Sequence, residues 1–203
     1  MSGLRRGDRD LVGLTVLALL LTGPRHTYEM QRLMVATHKD FVTGLPRSMY
    51  HAVGKLEAGA LIEVAGVERE AGRPERTVYA LTPAGRAELR ERVQRLLALP
   101  DPDATLLTAA LSFIGVLPIA EAAKALRARS DELGRRGDGL RSAMGEVAGL
   151  PRVLLVENEY ELARLAAERA FVDGLRADLD SGALAWPADL RELELPEGVP
   201  PVT

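Results

Sequence analysis

Apolar residues recur along this chain with two periods, and the changes of period mark out its elements. Met49, Ala52, Val53 and Leu56 stand at i, i+3, i+4 and i+7, the spacing of one inward stripe on a helix. At about 100° per residue, Arg47, Ser48, His51, Gly54 and Lys55 share the opposite arc, with Tyr50 at its edge. Pro46 suits the first turn, where a missing N–H costs nothing, and Glu57-Ala58-Gly59 offers a glycine for a left-handed close. The period then shortens. Residues 60–64 are aliphatic and β-branched, and Arg76 to Leu81 alternates polar with apolar, so the two segments are predicted to pair as a hairpin. Between them, Glu68 to Glu75 holds Gly72, which accepts positive φ, and Pro74, which cannot donate to a central ladder.

Helical spacing returns on both sides. Leu11 to Leu21 is apolar nearly all round, which suits a buried helix and falls short of the roughly 20 residues a bilayer span needs. Thr22-Gly23-Pro24 breaks it, and a second helix is expected from Thr27, with Thr27 as cap and Met30, Leu33 and Met34 inward. Thr82-Pro83 supplies a cap and a first-turn proline for a further helix carrying Leu89, Val93, Leu96 and Leu97. Pro100-Asp101-Pro102-Asp103 ends it. Beyond lie an apolar segment from Ala104 to Val116, a helix from Ile119 to about Met144, and another from Leu154 to Leu179 with Leu155, Leu162, Leu165, Ala166, Leu175 and Leu179 on one broad face and Phe171 one turn off. The fold predicted is mainly α with a small β-hairpin wing. It comprises an N-terminal winged helix-turn-helix at residues 8–99, a C-terminal helical dimerisation domain at 104–183, and a proline-bearing tail at 184–203.

A winged helix has two surfaces suited to double-stranded DNA, a helix that fits the major groove and a hairpin that reaches the flanking backbone. The candidates on the helix are Arg47, Ser48, Tyr50, His51 and Lys55, types that contact phosphates and base edges. Arg69, Arg73 and Arg76 fall near the wing tip, and Thr27 and Tyr28 open the second helix, where free N–H groups and a hydroxyl suit a phosphate. Two other readings compete: any surface helix carries a solvated polar face, and Glu68, Glu70 and Glu75 dilute the charge of the wing. A winged helix can also serve as a protein-interaction adaptor without specific DNA binding. Such a face needs an apolar hot spot, and this one offers only Tyr50.

At these residues the chain resembles the PadR family of bacterial transcriptional regulators. The resemblance rests on an apolar first helix ending in Thr22-Gly23-Pro24-Arg25-His26-Thr27-Tyr28-Glu29, on Ser48-Met49-Tyr50, on Leu56-Glu57-Ala58-Gly59-Ala60-Leu61-Ile62, on Gly72-Arg73-Pro74, and on Tyr79-Ala80-Leu81-Thr82-Pro83-Ala84-Gly85, in that order through the first half of the chain. The chain departs from the family pattern at Thr27, where the family usually has glycine, and at Arg47 and His51, where Gly and Pro are common; these changes bear on which bases are read. The resemblance implies a ligand-responsive repressor that acts as a homodimer on a pseudo-palindromic operator, with a helical C-terminal domain that dimerises from about Phe113-Ile114-Gly115-Val116-Leu117-Pro118 onward. It also implies a small aromatic or drug-like effector. Phe113, Tyr160, Phe171 and Trp186 are the aromatics available beyond residue 103, and packing is the competing use of each.

Charge locates the basic surface. The net balance is −3, yet residues 1–99 hold 15 Lys and Arg against 11 Asp and Glu, while residues 100–203 hold 11 against 18. The basic half is the winged-helix half, and affinity for DNA follows local phosphate neutralisation. There is no cysteine, hence no disulfide framework. His26, His38 and His51 lack the paired spacing of a zinc site, no phosphate-binding glycine loop or nucleophile elbow occurs, and Glu157, Glu159 and Glu161 read as a solvated helix side beside Arg164 and Arg169. The expectation is therefore no enzyme, no cofactor, no membrane partner and a cytoplasmic location.

Overall fold

In the computed structural model, which describes residues 3–37, 39, 41–42, 47–68 and 75–189, Asp10 starts the first helix by accepting the N–H of Gly13 at 2.9 Å. This helix, α1 (Leu11–Leu20), is buried almost all round, with Leu14, Val16 and Leu17 inaccessible to solvent. Its uniform hydrophobicity follows from its position among three further helices, α2 (Thr27–Ala36), α3 (Arg47–Ala58) and α4 (Pro83–Ala98), and the sheet.

The sheet has three antiparallel strands, β1 (Arg25–His26), β2 (Ile62–Glu68) and β3 (Arg76–Leu81), in the order β1-β3-β2. Arg25 lies opposite Tyr79 and Ile62 opposite Leu81, and the β2–β3 ladder is irregular between Val64 and Gly66. The hairpin is therefore as expected, with two changes at its base. β2 begins at Ile62 because the chain is still turning at Ala60, which holds the left-handed conformation (φ 54°) expected at Gly59. Here the Gly59, Ala60 and Leu61 amides close α3 by donating to the Lys55, Glu57 and Leu56 carbonyls. The Thr82 hydroxyl accepts the Gly85 N–H at 3.0 Å and meets the Leu61 carbonyl, also at 3.0 Å. Gly85 is required there, since a Cβ would stand 1.9 Å from the Leu61 oxygen.

A second correction concerns α2. Its cap is His26, not Thr27: the strand β1 brings the chain in extended, His26 Nδ1 accepts the Glu29 N–H at 3.0 Å, and Thr27 is already helical. Arg25, almost fully buried, ties this corner by donating to the Leu19 carbonyl, the Thr22 hydroxyl and Glu29.

Past Pro100, Asp103 caps α5 (Ala104–Ser112). The segment expected to run helical to Val116 divides at Phe113, and a short 3-10 turn at Ile114–Val116 follows. Two long helices, α6 (Ile119–Glu146) and α7 (Val156–Ser181), then pack on each other, and α6 packs on α4. The hydrophobic core is continuous from Leu14 in α1 through Leu97 and Leu126 to Leu179. The chain after α7 folds back, with Leu184 and Trp186 against the core and the indole N–H donating to the Leu117 carbonyl at 2.9 Å. Among the described residues, no helix is long and apolar enough to cross a membrane.

Candidate nucleic-acid interface

The polar face of α3 exists because its other face is fully used. Met49, Ala52, Val53 and Leu56 are all buried to 3% exposure or less. Arg47, Tyr50, His51, Gly54 and Lys55 consequently stand in solvent, and Ser48 is half-buried. Tyr50 is 64% exposed, which leaves both its ring face and its hydroxyl open to a ligand.

An open groove of about 490 Å³ runs beside this helix. One wall is the start of α2 with His26, Thr27 and Tyr28, the second is Tyr50, Val53 and Gly54 of α3, and the third is Glu75, Arg76, Thr77 and Tyr79 of the hairpin. The structure thus brings Thr27, Tyr28, Tyr50 and Arg76 together although they are spread over fifty positions of sequence. Arg47 and His51 belong to the same exposed helix face. Lys55 is held elsewhere, its ammonium 3.1 Å from Asp10 at the start of α1. Arg69 and Arg73 lie outside the described residues, as do Pro46, Gly72, Pro74 and His38.

The groove is not uniformly cationic. Burial, and then the negative charge of Glu57, push the Tyr79 phenol above its ordinary pKa, so it stays a hydrogen-bond donor at neutral pH. His26 was not singled out from the sequence as a site residue, and it belongs here. Because its Nδ1 is occupied as an acceptor, the neutral ring carries its proton on Nε2, a donor in the groove wall. The signal that would have found it is the His immediately before the second helix, which reads as a cap once the extended backbone at Arg25–His26 is known. The His26 and Tyr28 rings lie 6.5 Å apart and tilted. Hydroxyl donors, guanidinium groups and exposed aromatic faces around an open channel suit a sugar-phosphate strand and base edges. Among the described residues, no group of three or more His, Asp or Glu side chains could hold a metal ion.

Residues 16–91 match the model of the transcriptional regulator PadR-like family, a span that covers α1 through most of α4. No curated protein matches the chain. Similar solved structures include Bacillus subtilis PadR in complex with operator DNA, at 19% identity and a TM-score of 0.40, covering 83% of this chain and 98% of that one. Another is the same Bacillus subtilis protein in complex with p-coumaric acid, at 20% identity and a TM-score of 0.36, covering 84% and 99%. A third is smu.1604c from Streptococcus mutans UA159, at 19% identity and a TM-score of 0.37, covering 85% and 99%.

Proposed function

We propose that this chain, a member of the transcriptional regulator PadR-like family through its residues 16–91, is a repressor that binds a pseudo-palindromic operator as a homodimer and is released by a small aromatic or drug-like effector. The observation that carries the proposal is the α3 face: one helix whose apolar side is fully buried while Arg47, Tyr50 and His51 project from it, flanked by a groove that ends on Arg76. That arrangement favours DNA over a protein partner, since the aromatic residues lining the groove are tyrosines and a histidine, each with a polar group of its own, and Arg47, His51 and Arg76 stand beside them.

Dimerisation rests on a different surface. Val153, Leu154, Val156, Tyr160 and Phe171 are all more than half exposed. Val156, Tyr160, Ala163, Ala167 and Phe171 recur at helical spacing along α7, a stripe that no part of the same chain covers among the described residues. A second copy is the economical cover, because closed twofold dimers bury such stripes symmetrically. Repression needs only occupancy of a promoter. An effector acts if it binds the DNA-incompetent arrangement of the two winged helices more tightly than the competent one.

Selection of bound fragments from a random duplex pool tests the reading. An inverted repeat with half-sites about one helical turn apart is expected, in line with a dimer placing two recognition helices in successive major grooves. A pool that stays random after selection contradicts it.

A further inference from the structure

Three helices of this protein meet on one buried cation. Arg129, in the middle of α6, is 2% exposed. Burial lowers its pKa, Glu168 opposes that shift, and the charges of Arg136 and Arg164 add to it; the guanidinium stays charged, so its partners' hydrogen bonds must offset the loss of water. Its Nε donates to Glu168 of α7 at 2.7 Å. Its Nη1 donates to the Leu96, Leu99 and Leu97 carbonyls at 2.9, 3.0 and 3.4 Å, the end of α4. Those carbonyls are among the ones a helix C-terminus leaves without an internal partner, and the negative end of the helix dipole points at the guanidinium.

The network does not stop at Glu168. Its second oxygen accepts from Arg164 at 3.3 Å, and Arg164 forms a two-pronged pair with Glu161, each contact 2.7 Å. Glu161 and Arg164 lie on α7 next to Tyr160, Ala163 and Ala167 of the exposed apolar stripe. Arg136, bonded to Glu132, is the other charge that acts on Arg129. A chain of charge-assisted hydrogen bonds therefore runs from the last turn of α4, the helix that carries the wing hairpin at its other end, to the surface where α7 awaits cover.

We propose that Arg129 is a positioning residue for DNA binding, holding the end of α4 at one angle on the α6–α7 pair so that whatever packs on α7 sets the attitude of the winged helix. Stability alone does not call for it, since replacing a buried ion pair with apolar groups of similar volume is often neutral or stabilising. What an apolar filler cannot do is fix three helices in one relative orientation through directional bonds. The consequence for DNA rests on the regulator reading above; the joint itself does not.

The absence of cysteine from the chain makes the test direct. Spin labels go on cysteines placed at the exposed positions Ala58 of α3 and Ala177 of α7, with labelled full-length chain diluted in unlabelled chain so that only the distance within one chain is read. A single narrow distribution is expected for the wild type, and Glu168→Gln and Arg129→Met should each widen it by about twofold or more, because coupled partners share the loss. In parallel, the wild type should prefer its operator by about tenfold over one with an inserted base pair between half-sites, and Glu168→Gln should flatten that preference while its salt dependence holds. Unchanged widths, with only the melting temperature altered, overturn the proposal. Should Arg129→Met fail to fold, Glu168→Gln decides, since it keeps the shape but turns one of the two accepting oxygens into a donor, so that Arg129 and Arg164 can no longer both be met. Widening without any operator preference in the wild type would uphold the joint and overturn the DNA reading instead.

Discussion

The helix α3, proposed to read DNA, and the last helix α7 are both amphipathic, and they leave opposite faces to solvent. In α3 every residue of the apolar stripe is buried within its own chain, and what remains outside is Arg47, Tyr50, His51 and Lys55. In α7 only Leu165, Val172 and Leu179 are buried, and Val156, Tyr160 and Phe171 remain in water. A helix whose apolar stripe is already buried has polar chemistry to offer a polar ligand, whereas a helix with apolar residues left in water suits an interface, and this contrast underlies the roles proposed for the two.

Substitutions along the two stripes should separate them. The largest effect on stability is expected at the buried side of α3, where Leu56→Ala should cost about 3 kcal/mol in a denaturant titration, the usual price of a cavity in a packed core. The exposed side of α7 should behave differently. Tyr160→Asp with Phe171→Asp should leave the chain folded yet raise the dimer dissociation constant by about a hundredfold, near 2.7 kcal/mol, as read by sedimentation equilibrium. Unchanged association would make the stripe an ordinary surface and remove the contrast. A smaller effect is expected from the polar face: Arg47→Ala should weaken operator binding by more than about 1 kcal/mol, with no change in association of the chains. Equal affinity for both proteins would take Arg47 off the interface.

The smallest effect concerns the link between the N-terminal turn and α4. Burial raises the Asp8 pKa, but the hydrogen bonds from Arg95 and the Arg5 amide and the charges of Arg95 and Arg92 outweigh it, so the carboxyl lies below its ordinary range. A depressed folded-state pKa contributes stability above the unfolded value of about 4, and that contribution is lost as pH falls through the folded one. Asp8→Asn should therefore lower stability at neutral pH and flatten the decline below about pH 4. A melting profile that superimposes on the wild type throughout the acid range would show that Asp8 contributes nothing.

Much of the winged helix was legible because local pattern and tertiary burial agree there. The α3 stripe and the Thr82 cap with Pro83 each follow from a few neighbouring residues; the alternation of β3 predicts the strand but not its burial, since all six of its residues are half-buried. What the sequence hid was set by residues far apart. Strand β1 is two residues long, too short for any period to show, and it becomes a strand only because Tyr79 and Val78 lie beside it. His26 became the cap for the same reason. Lys55 reads as a groove-facing cation until Asp10, 45 positions earlier, is found beside it. Arg129 sits in a helix rich in arginine, and nothing local distinguishes it from its solvated neighbours; the carbonyls of α4 and the carboxylate of Glu168, all 30 or more positions away, do so. Arg69 and Arg73, expected at the wing tip, lie outside the described residues, and Arg76 is the wing arginine that the structure places beside the groove.

The measurement closest to the central claim is binding of the full-length protein to duplex DNA from upstream of its own gene, titrated against salt beside an unrelated duplex of equal length. Two chains per duplex, tighter binding to the upstream sequence, and an affinity that falls steeply as salt rises are expected. Equal binding to both duplexes at every salt concentration, with the dimer intact, would contradict it.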